Sequence, residues 1–216
     1  MIQALGWCDM ERWGCVGARG ASRHGTTPDL SVSAEAEMLI GQPVKYYSRM
    51  PVQTRLSLIA MSQALQASRW EEAGMREIGM TTAGYDGCLD ADRRYFQDYV
   101  QTGRVIGRGN LFIYTLATST VGEAAIVLRL NGPTLYLHSG ASPVTTLIEQ
   151  SQQMAAEGQA QGMLALWSDI QAAVCFAVGA EGGDDLDEMI EGHGESSPGM
   201  LARHLTAKVQ WEPGVA

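Results

Sequence analysis

The sequence predicts a single layered α/β domain with a mainly parallel, mixed sheet flanked by helices. Strand patterns and helix patterns alternate along the chain, which is typical of strand–helix–strand units. The 216 residues suffice for one substantial hydrophobic core, so we expect one domain over 1–216. The hydrophobic fraction of 45% is that of an ordinary globular protein.

The N-terminal third supplies the first strands and a long helix. Residues 2–17 alternate small, apolar and aromatic side chains around a polar break, which predicts a strand or a hairpin. The stretch 18–34 is rich in Gly, Ser, Thr and basic residues, so we expect a loop. Over 51–70 a proline suits the first helical turn, and apolar residues then recur at three- and four-residue spacing. This pattern predicts a well-buried helix.

The middle of the chain continues the alternation. The short apolar run 78–82 predicts an inner strand that ends at Gly84. A polar helix with aromatic residues on one side is expected at 90–101. A short helix is predicted over 119–130, closed by an Asn-Gly pair.

The stretch GPTLYLHSGASPVTTLIEQ predicts a buried strand, a tight turn and a helix. The strand is centred on 135–137, the turn lies at Ala141, and the helix covers 141–157. In many α/β enzymes a turn of this kind presents a nucleophile to the positive end of the helix dipole. Alanine offers no nucleophile there.

The last third is predicted to close the sheet. Two apolar segments, 162–169 and 171–181, indicate central or semi-buried strands joined by a turn near Asp169. The segment 181–200 is acidic and rich in Gly and Ser, so we expect an exposed loop. A final strand is predicted over 205–212.

Charge and composition exclude several classes of function. The formal net charge of -9 and the pI near 4.9 argue against a nucleic-acid or anionic-membrane surface, because phosphate binding needs clustered Lys and Arg. No run of about 18 apolar residues predicts a membrane span. The N-terminus lacks the pattern of a signal peptide, so we expect a cytoplasmic protein.

Cysteine and histidine spacing predicts no metal site. The four cysteines fall in no CxxC pair, and we interpret them as reduced, mostly packed thiols. The four histidines also lack ligand spacing with one another or with the cysteines. We expect neither a metal nor another cofactor.

Three segments carry a resemblance to a known family: KYYSRMPVQTRLSLIAMSQALQASRW, NLFIYTLATSTVGEAAIVLRLNGP and NGPTLYLHSGAS. In their order and spacing they resemble β-ketoacyl synthases, over most of 1–182. The match corresponds to the N-terminal half of that family. It implies a thiolase-like fold of which this sequence carries a single half.

The resemblance also implies that condensing activity is absent. The family's cysteine nucleophile falls on Ala141, and its two catalytic histidines lie in the half that has no match. His138 precedes the turn and corresponds to neither of those histidines. Ser139 or Ser142 as a serine nucleophile would need a general base, but His138 and Ser139 are strand neighbours that point to opposite faces.

Three functions remain open. The first is a non-catalytic partner or scaffold in fatty-acid or polyketide-type biosynthesis, similar in spirit to chain-length factors. It implies a homodimer, or a heterodimer with a full-length synthase, with an acyl carrier protein as a further partner. The second is an acyltransferase or hydrolase with unidentified catalytic residues. The third is an acyl-chain or acyl-thioester binding protein. Its pocket would comprise His138, Ser139, Ala141, Ser142, Phe112 and Leu147.

Overall fold

The computed structural model describes residues 1–17, 22–70, 72–84, 87–138, 142–180 and 184–210. Within these residues the strands are β1 Ile2–Asp9, β2 Arg12–Gly17, β3 Ser22–Thr26, β4 Ile78–Gly84, β5 Thr134–His138, β6 Gly162–Ser168 and β7 Ala172–Val178. They form one open seven-stranded sheet in the order β3-β2-β1-β7-β6-β4-β5.

The sheet is mixed, as predicted, but parallel pairing is confined to one side. Strand β4 pairs in parallel with β5 and with β6, whereas the other four pairings are antiparallel. The prediction of a mixed sheet is therefore confirmed, but the prediction that most strands pair in parallel is wrong. The reason lies in short connections: only two residues join β1 to β2, and only three join β6 to β7. Connections of this length permit hairpins alone.

Helices follow the predicted segments closely. The α-helices are α1 Ser33–Ile40, α2 Val52–Ser68, α3 Leu89–Gln101, α4 Gly109–Phe112, α5 Ser119–Leu128, α6 Pro143–Ala156, α7 Asp184–Asp187 and α8 Pro198–Gln210. Single 3-10 turns occur at Tyr47–Arg49 and Ile113–Thr115. The predicted helices at 51–70, 90–101, 119–130 and 141–157 are confirmed as α2, α3, α5 and α6 over the described residues.

Helices cover both faces of the sheet. Consecutive strand residues alternate between two apolar clusters, as Leu164 and Ala165 do on β6. Helix α2 packs on β1 and β7 on one face, with α1 and α5 beside it. Helices α6 and α8 pack on the other face. The three-layer arrangement agrees with the predicted class.

Helix α2 approaches the sheet closely enough to require glycine on β1. A Cβ atom added to Gly6 would lie 2.3 Å from the carbonyl oxygen of Ala60 and 2.4 Å from the backbone nitrogen of Ala64. Both neighbours belong to the helix backbone, so no rotamer change could relieve the contact. The glycine thus fixes how deeply α2 sits on the sheet.

Two sequence predictions are corrected. Residues 22–26 of the predicted 18–34 loop form edge strand β3, and its last residues begin α1, while 18–21 lie outside the described residues. The predicted final strand at 205–212 is helical up to Gln210. Apolar residues four apart, Leu201 and Leu205, are fully buried on the sheet, a spacing that fits a helix and not a strand.

Two further predictions hold in part. The acidic segment 181–200 is irregular from 188 to 197, but it is bounded by α7 and by the start of α8. The strand before the turn exists as β5, yet it is not buried. It lies at the edge of the sheet, and its residues are half-buried or exposed.

In the described ranges no single helix is both long and apolar enough to cross a membrane. One pair, Gly109–Thr115 with Ser119–Leu128, reaches the required length and composition only when its two parts are combined, and it is bent by 104°.

Candidate functional site

The parallel part of the sheet defines where a site is expected. In open α/β sheets, ligands bind in the crevice outside the carboxyl ends of parallel strands. Here β4 lies between β5 and β6, and these three strands end at Gly84, His138 and Ser168. A cavity of about 210 Å³ opens at this edge. Its lining includes Gln53, Gly84, Asp90, Arg93, Ser168 and Ile170.

A narrow slot of about 30 Å³ continues this crevice toward α5. Its lining combines apolar residues with polar ones, and the polar residues include Thr82, Cys88, Tyr114, Thr120 and Tyr136. We call the cavity and the slot together the crevice. At about 240 Å³ in all, it is smaller than the roughly 300–1,000 Å³ typical of small-molecule sites.

Hydroxyl and amide groups around the crevice are largely bonded to one another. The amide nitrogen of Gln53, at the start of α2, lies 3.3 Å from both the carbonyl oxygen and Oγ of Ser168. The hydroxyls of Thr54 and Thr120 share a bond of 3.0 Å. The phenol of Tyr136 donates to the carbonyl oxygen of Gly84 at 3.2 Å. These bonds stabilise the walls and leave few polar groups to engage a ligand.

One thiol lies at the crevice, and the sequence analysis did not anticipate it. Cys88 follows β4 and precedes α3, and its Sγ donates to the carbonyl oxygen of Thr115 at 2.8 Å. The carboxylate oxygens of Asp92 lie 3.7 and 3.8 Å from Sγ. Burial, followed by the negative charge of Asp92, raises the pKa of Cys88. The group is therefore held as a neutral thiol and lacks the activation of a nucleophilic cysteine.

The predicted pocket residues occupy different parts of the molecule. Ser139 and Ala141 lie outside the described residues. His138 is exposed at the end of β5, and Leu147 is fully buried on α6. Phe112 is half exposed on α4, where its ring contacts Tyr95 at 5.7 Å between centroids. A pocket that unites these side chains remains a prediction.

The amino end of α6, which follows the predicted turn, is covered by another part of the chain. We call residues 188–197 the strap. The backbone N–H of Val144 donates to the carbonyl oxygen of Gly194 at 3.2 Å. The hydroxyl of Ser142 lies 3.5 Å from a carboxylate oxygen of Glu195. The positive end of this helix dipole is thus met by a carbonyl dipole and a carboxylate of the strap.

The strap is fixed by two histidines that sequence spacing did not connect. The rings of His193 in the strap and His204 on α8 contact each other with 3.9 Å between their centroids and an angle of 36° between their planes. His193 Nδ1 lies 3.0 Å from the hydroxyl of Ser196, and His204 Nε2 donates to the carbonyl oxygen of Met189 at 3.0 Å. Sequence spacing could not foresee this pairing, because the two histidines belong to different elements, the strap and α8.

The remaining cysteines and the acidic groups bear on metal binding. Cys8, Cys15 and Cys175 are buried free thiols, which confirms the prediction of packed, reduced cysteines. Over the described residues no three His, Cys, Asp or Glu side chains come together in a way that could hold a metal ion.

Comparison with known proteins identifies the fold. No family model matches the sequence, and a search of curated proteins finds no significant match. A β-ketoacyl synthase from Burkholderia phymatum STM815 superposes with a TM-score of 0.57 at 12% identity, over 90% of this chain and 60% of that chain. The ishigamide ketosynthase/chain length factor gives 0.56 at 12% identity, over 83% and 62%.

A ketosynthase in complex with its chain length factor from Xenorhabdus doucetiae gives a TM-score of 0.48 at 14% identity, over 70% of this chain and 74% of that chain. The two higher-scoring superpositions define the class: this chain has the thiolase-like α/β fold of ketosynthases and chain length factors, as its sequence predicts. The chain spans about 60% of the length of those two structures. Identities of this size indicate the fold and leave activity open.

Proposed function

We propose that this protein is a non-catalytic β-ketoacyl-synthase-like partner or scaffold in fatty-acid or polyketide-type biosynthesis. The observation that carries the proposal is the covered amino end of α6. In the family that the sequence resembles, an acyl-accepting thiolate stands before such a helix, and the helix N-terminus lowers the thiol pKa. Here alanine occupies position 141, and the carbonyl of Gly194 already accepts the N–H of Val144.

The surroundings of this helix end would also disfavour a thiolate. A carboxylate near a thiol raises the pKa of the thiol, because the two negative charges repel each other. Glu195 lies beside Ser142, one residue after the position of the family nucleophile. An anion at the turn would therefore meet a negative charge.

Cys88 does not replace the missing nucleophile. An activated cysteine needs a positive neighbour or an adjacent base. The neighbours of the Cys88 thiol are instead a carbonyl oxygen and the carboxylate of Asp92. This environment argues against the alternative of an acyltransferase or hydrolase that uses this thiol.

The size of the crevice argues for association over ligand storage. About 240 Å³ of space, partly a slot of about 30 Å³, is small for an extended acyl chain. The crevice itself therefore gives an acyl-binding role less support than a role as a partner.

The surface offers features that suit a protein partner. Among the strands that the structure describes, β5 pairs with β4 alone, so one edge of this sheet carries backbone groups open to another strand. In the segment 105–116, at least half of the surface of each of five apolar residues is exposed: Val105, Ile106, Phe112, Ile113 and Leu116. This segment lies close to β5, because a Cβ on Gly87 would contact both Tyr136 and Ala117. Contiguous apolar surface of this kind marks interaction sites.

Two of the superposed structures are described with partners. One is a ketosynthase/chain length factor, and another is a ketosynthase bound to its chain length factor. These assemblies are properties of those proteins. They make a homodimer, a heterodimer with a full-length synthase, or contact with an acyl carrier protein a reasonable expectation for this chain.

A charge-pair experiment tests self-association through β5. In a symmetric antiparallel pair of β5 strands centred on Tyr136, residue 134 of one copy lies opposite residue 138 of the other. Both Thr134 and His138 are exposed. The double variant Thr134→Lys/His138→Lys would place like charges opposite each other, whereas Thr134→Lys/His138→Glu would place opposite charges there.

We expect light scattering at micromolar concentration to give twice the chain mass of 23.3 kDa for the wild type. The Lys/Lys variant should shift toward the monomer, and the Lys/Glu variant should return to the dimer. The matched control is Ser22→Lys/Thr26→Lys on the opposite edge strand β3, which should remain dimeric. A wild-type monomer, or equal behaviour of the Lys/Lys and control variants, would contradict association through β5.

A further inference from the structure

We propose that the ring contact His193–His204 is a pH-dependent contact that holds the strap over the amino end of α6 near neutral pH and releases it on acidification. The proposal concerns the accessibility of this helix end and does not depend on the partner role. It rests on the position of the two rings between α8 and the strap, and on the bonds that the strap makes elsewhere.

The strap connects three elements of the fold. Its residue Gly194 accepts the N–H of Val144 on α6, and Ser196 accepts the indole N–H of Trp167 on β6 at 3.0 Å. On the third side it meets α8 through the histidine pair. Because the histidine pair is the contact with α8 that can change charge near neutral pH, it is the contact that pH can weaken.

The strap also forms one wall of the largest cavity that we describe. This cavity has a volume of about 460 Å³, and Ile190, Glu191, Gly192 and Gly194 of the strap line it opposite Val144 and Ile148 of α6. Release of the strap would therefore open the cavity and uncover the first turn of α6 together.

The hydrogen bonds define how the pair responds to protons. A carbonyl oxygen can only accept, so His204 donates to Met189 from Nε2 and its neutral form has Nδ1 free for a proton. Protonation of both rings would place positive charges on two rings whose centroids lie 3.9 Å apart. Like charges at this separation repel, and the repulsion acts across the contact between the strap and α8.

The charged groups around the pair do not offset this repulsion through a direct ion pair. The described charged side chains carried by α8, α7, the strap and α6 are Arg203 and Lys208, Asp187, Glu188, Glu191 and Glu195, and Glu149. Within the part of the chain that the structure describes, neither imidazole forms an ion pair with a carboxylate. Lys208 instead adds a positive charge near His204.

The sign of the pH effect follows from the closed state. Burial, then the charge of His193, lowers the pKa of His204 below its ordinary value of 6.5, although the bond to Met189 opposes the change. The released strap would restore the ordinary value and so binds more protons. Closure is therefore favoured above about pH 6.5 and weakens as the pH falls below it, by up to about tenfold per pH unit for His204 alone.

Amide hydrogen exchange tests the proposal on the whole chain. The reporter is the N–H of Val144, with exchange rates corrected for their intrinsic dependence on pH. We expect its protection to fall by about tenfold between pH 7.5 and pH 5.5. Amides of Ala165 on β6 and Phe176 on β7, in the centre of the sheet, should keep their protection, which distinguishes strap release from global unfolding.

Variants separate the pair from other titrating groups. In His193→Gln/His204→Gln the glutamine at 204 can still donate to Met189, but neither position titrates, so the protection of Val144 should become independent of pH. The matched control is His138→Gln, which removes an exposed histidine of β5 and should retain the wild-type response. A response that persists in the double variant would overturn the proposal.

A second measurement needs no variant. The indole N–H of Trp167 donates to Ser196 of the strap, so its NMR chemical shift should change with pH. Its midpoint should coincide with that of the ring protons of His193 or His204. A constant indole shift while both imidazoles titrate, or a midpoint that matches neither ring, would also overturn the proposal.

Discussion

The substitution Gly6→Ala tests the packing of α2 on the sheet, which positions Gln53 and Thr54 at the crevice. The added Cβ would lie 2.3 Å from the carbonyl oxygen of Ala60, whereas ordinary contact begins at about 3.4 Å. The difference is 1.1 Å, so β1 and α2 would have to separate by about that distance. Both colliding groups are backbone, which prevents relief by a change of rotamer.

The expected cost lies near the upper end of the range for overpacked cores. Overpacking usually costs about 1–3 kcal/mol, and a gap of about 1 Å forfeits up to half of the dispersion energy of the separated atoms. Replacing a strand glycine by alanine returns only about 0.5–1 kcal/mol of backbone entropy. We therefore expect Gly6→Ala to lower the free energy of unfolding by about 3 kcal/mol.

Urea denaturation followed by circular dichroism measures this loss. With an m-value of about 2 kcal/mol/M, the midpoint should fall by about 1.5 M. The matched control is Gly122→Ala within α5, where an added Cβ meets no atom within 4 Å. That variant should gain about 0.5–1 kcal/mol from helix propensity. A Gly6→Ala midpoint within experimental error of the wild type would refute the close approach of α2 to β1.

Two predictions concern thiols. Burial raises the pKa of Cys8 from 9.0 to about 12, so its contribution to stability is complete below pH 9 and is lost as the pH rises toward 12. The free energy of unfolding should therefore fall above pH 9, and this thiol should contribute up to about 1.4 kcal/mol per pH unit. If the free energy of unfolding of Cys8→Ala fell equally steeply with pH, the effect could not be attributed to Cys8. For Cys88, the pH–rate profile of iodoacetamide labelling should have its midpoint above the ordinary cysteine pKa of 9.0, and Asp92→Asn should lower that midpoint. An unchanged midpoint in Asp92→Asn would exclude the carboxylate as a cause.

The sequence predicts most of the helices because their apolar residues recur over several turns. Helix α2 is the clearest case, since Leu56, Ile59, Ala60 and Ala64 follow the helical period and all are buried. Strand direction was harder to predict. A parallel arrangement was inferred from alternation, but the three-residue connection between β6 and β7 dictates an antiparallel pair.

The errors at the two ends of the chain have physical causes. The residues of strand β3 are mostly polar and exposed. The strand is defined by its backbone pairing with β2, which cannot be predicted from local amino-acid composition. When the segment of α8 is considered without its tertiary contacts, the β-branched residues Thr206 and Val209 favour a strand. Burial of Leu201 and Leu205 against the sheet outweighs that local preference.

The candidate site was only partly accessible to sequence reasoning. The family resemblance identified Ala141 and the helix that follows it, because that segment is continuous in the chain. The strap residue Gly194 lies 50 residues further along the chain than Val144, and Cys88 follows another strand. No local sequence pattern connects either feature to the predicted turn. A general rule could have found Cys88, since it follows the carboxyl end of parallel strand β4.

The edge position of β5 links the alanine at position 141 to the proposed association. The strand ends at His138, three residues before Ala141, and its outer side carries backbone groups that can pair with another strand. A second chain added along β5 would therefore lie beside the turn. A reactive thiol at such a turn would have to be reconciled with that neighbour and with the carboxylate of Glu195. In the proposed association, alanine at position 141 would remove both conflicts, and β5 would serve as an interaction edge.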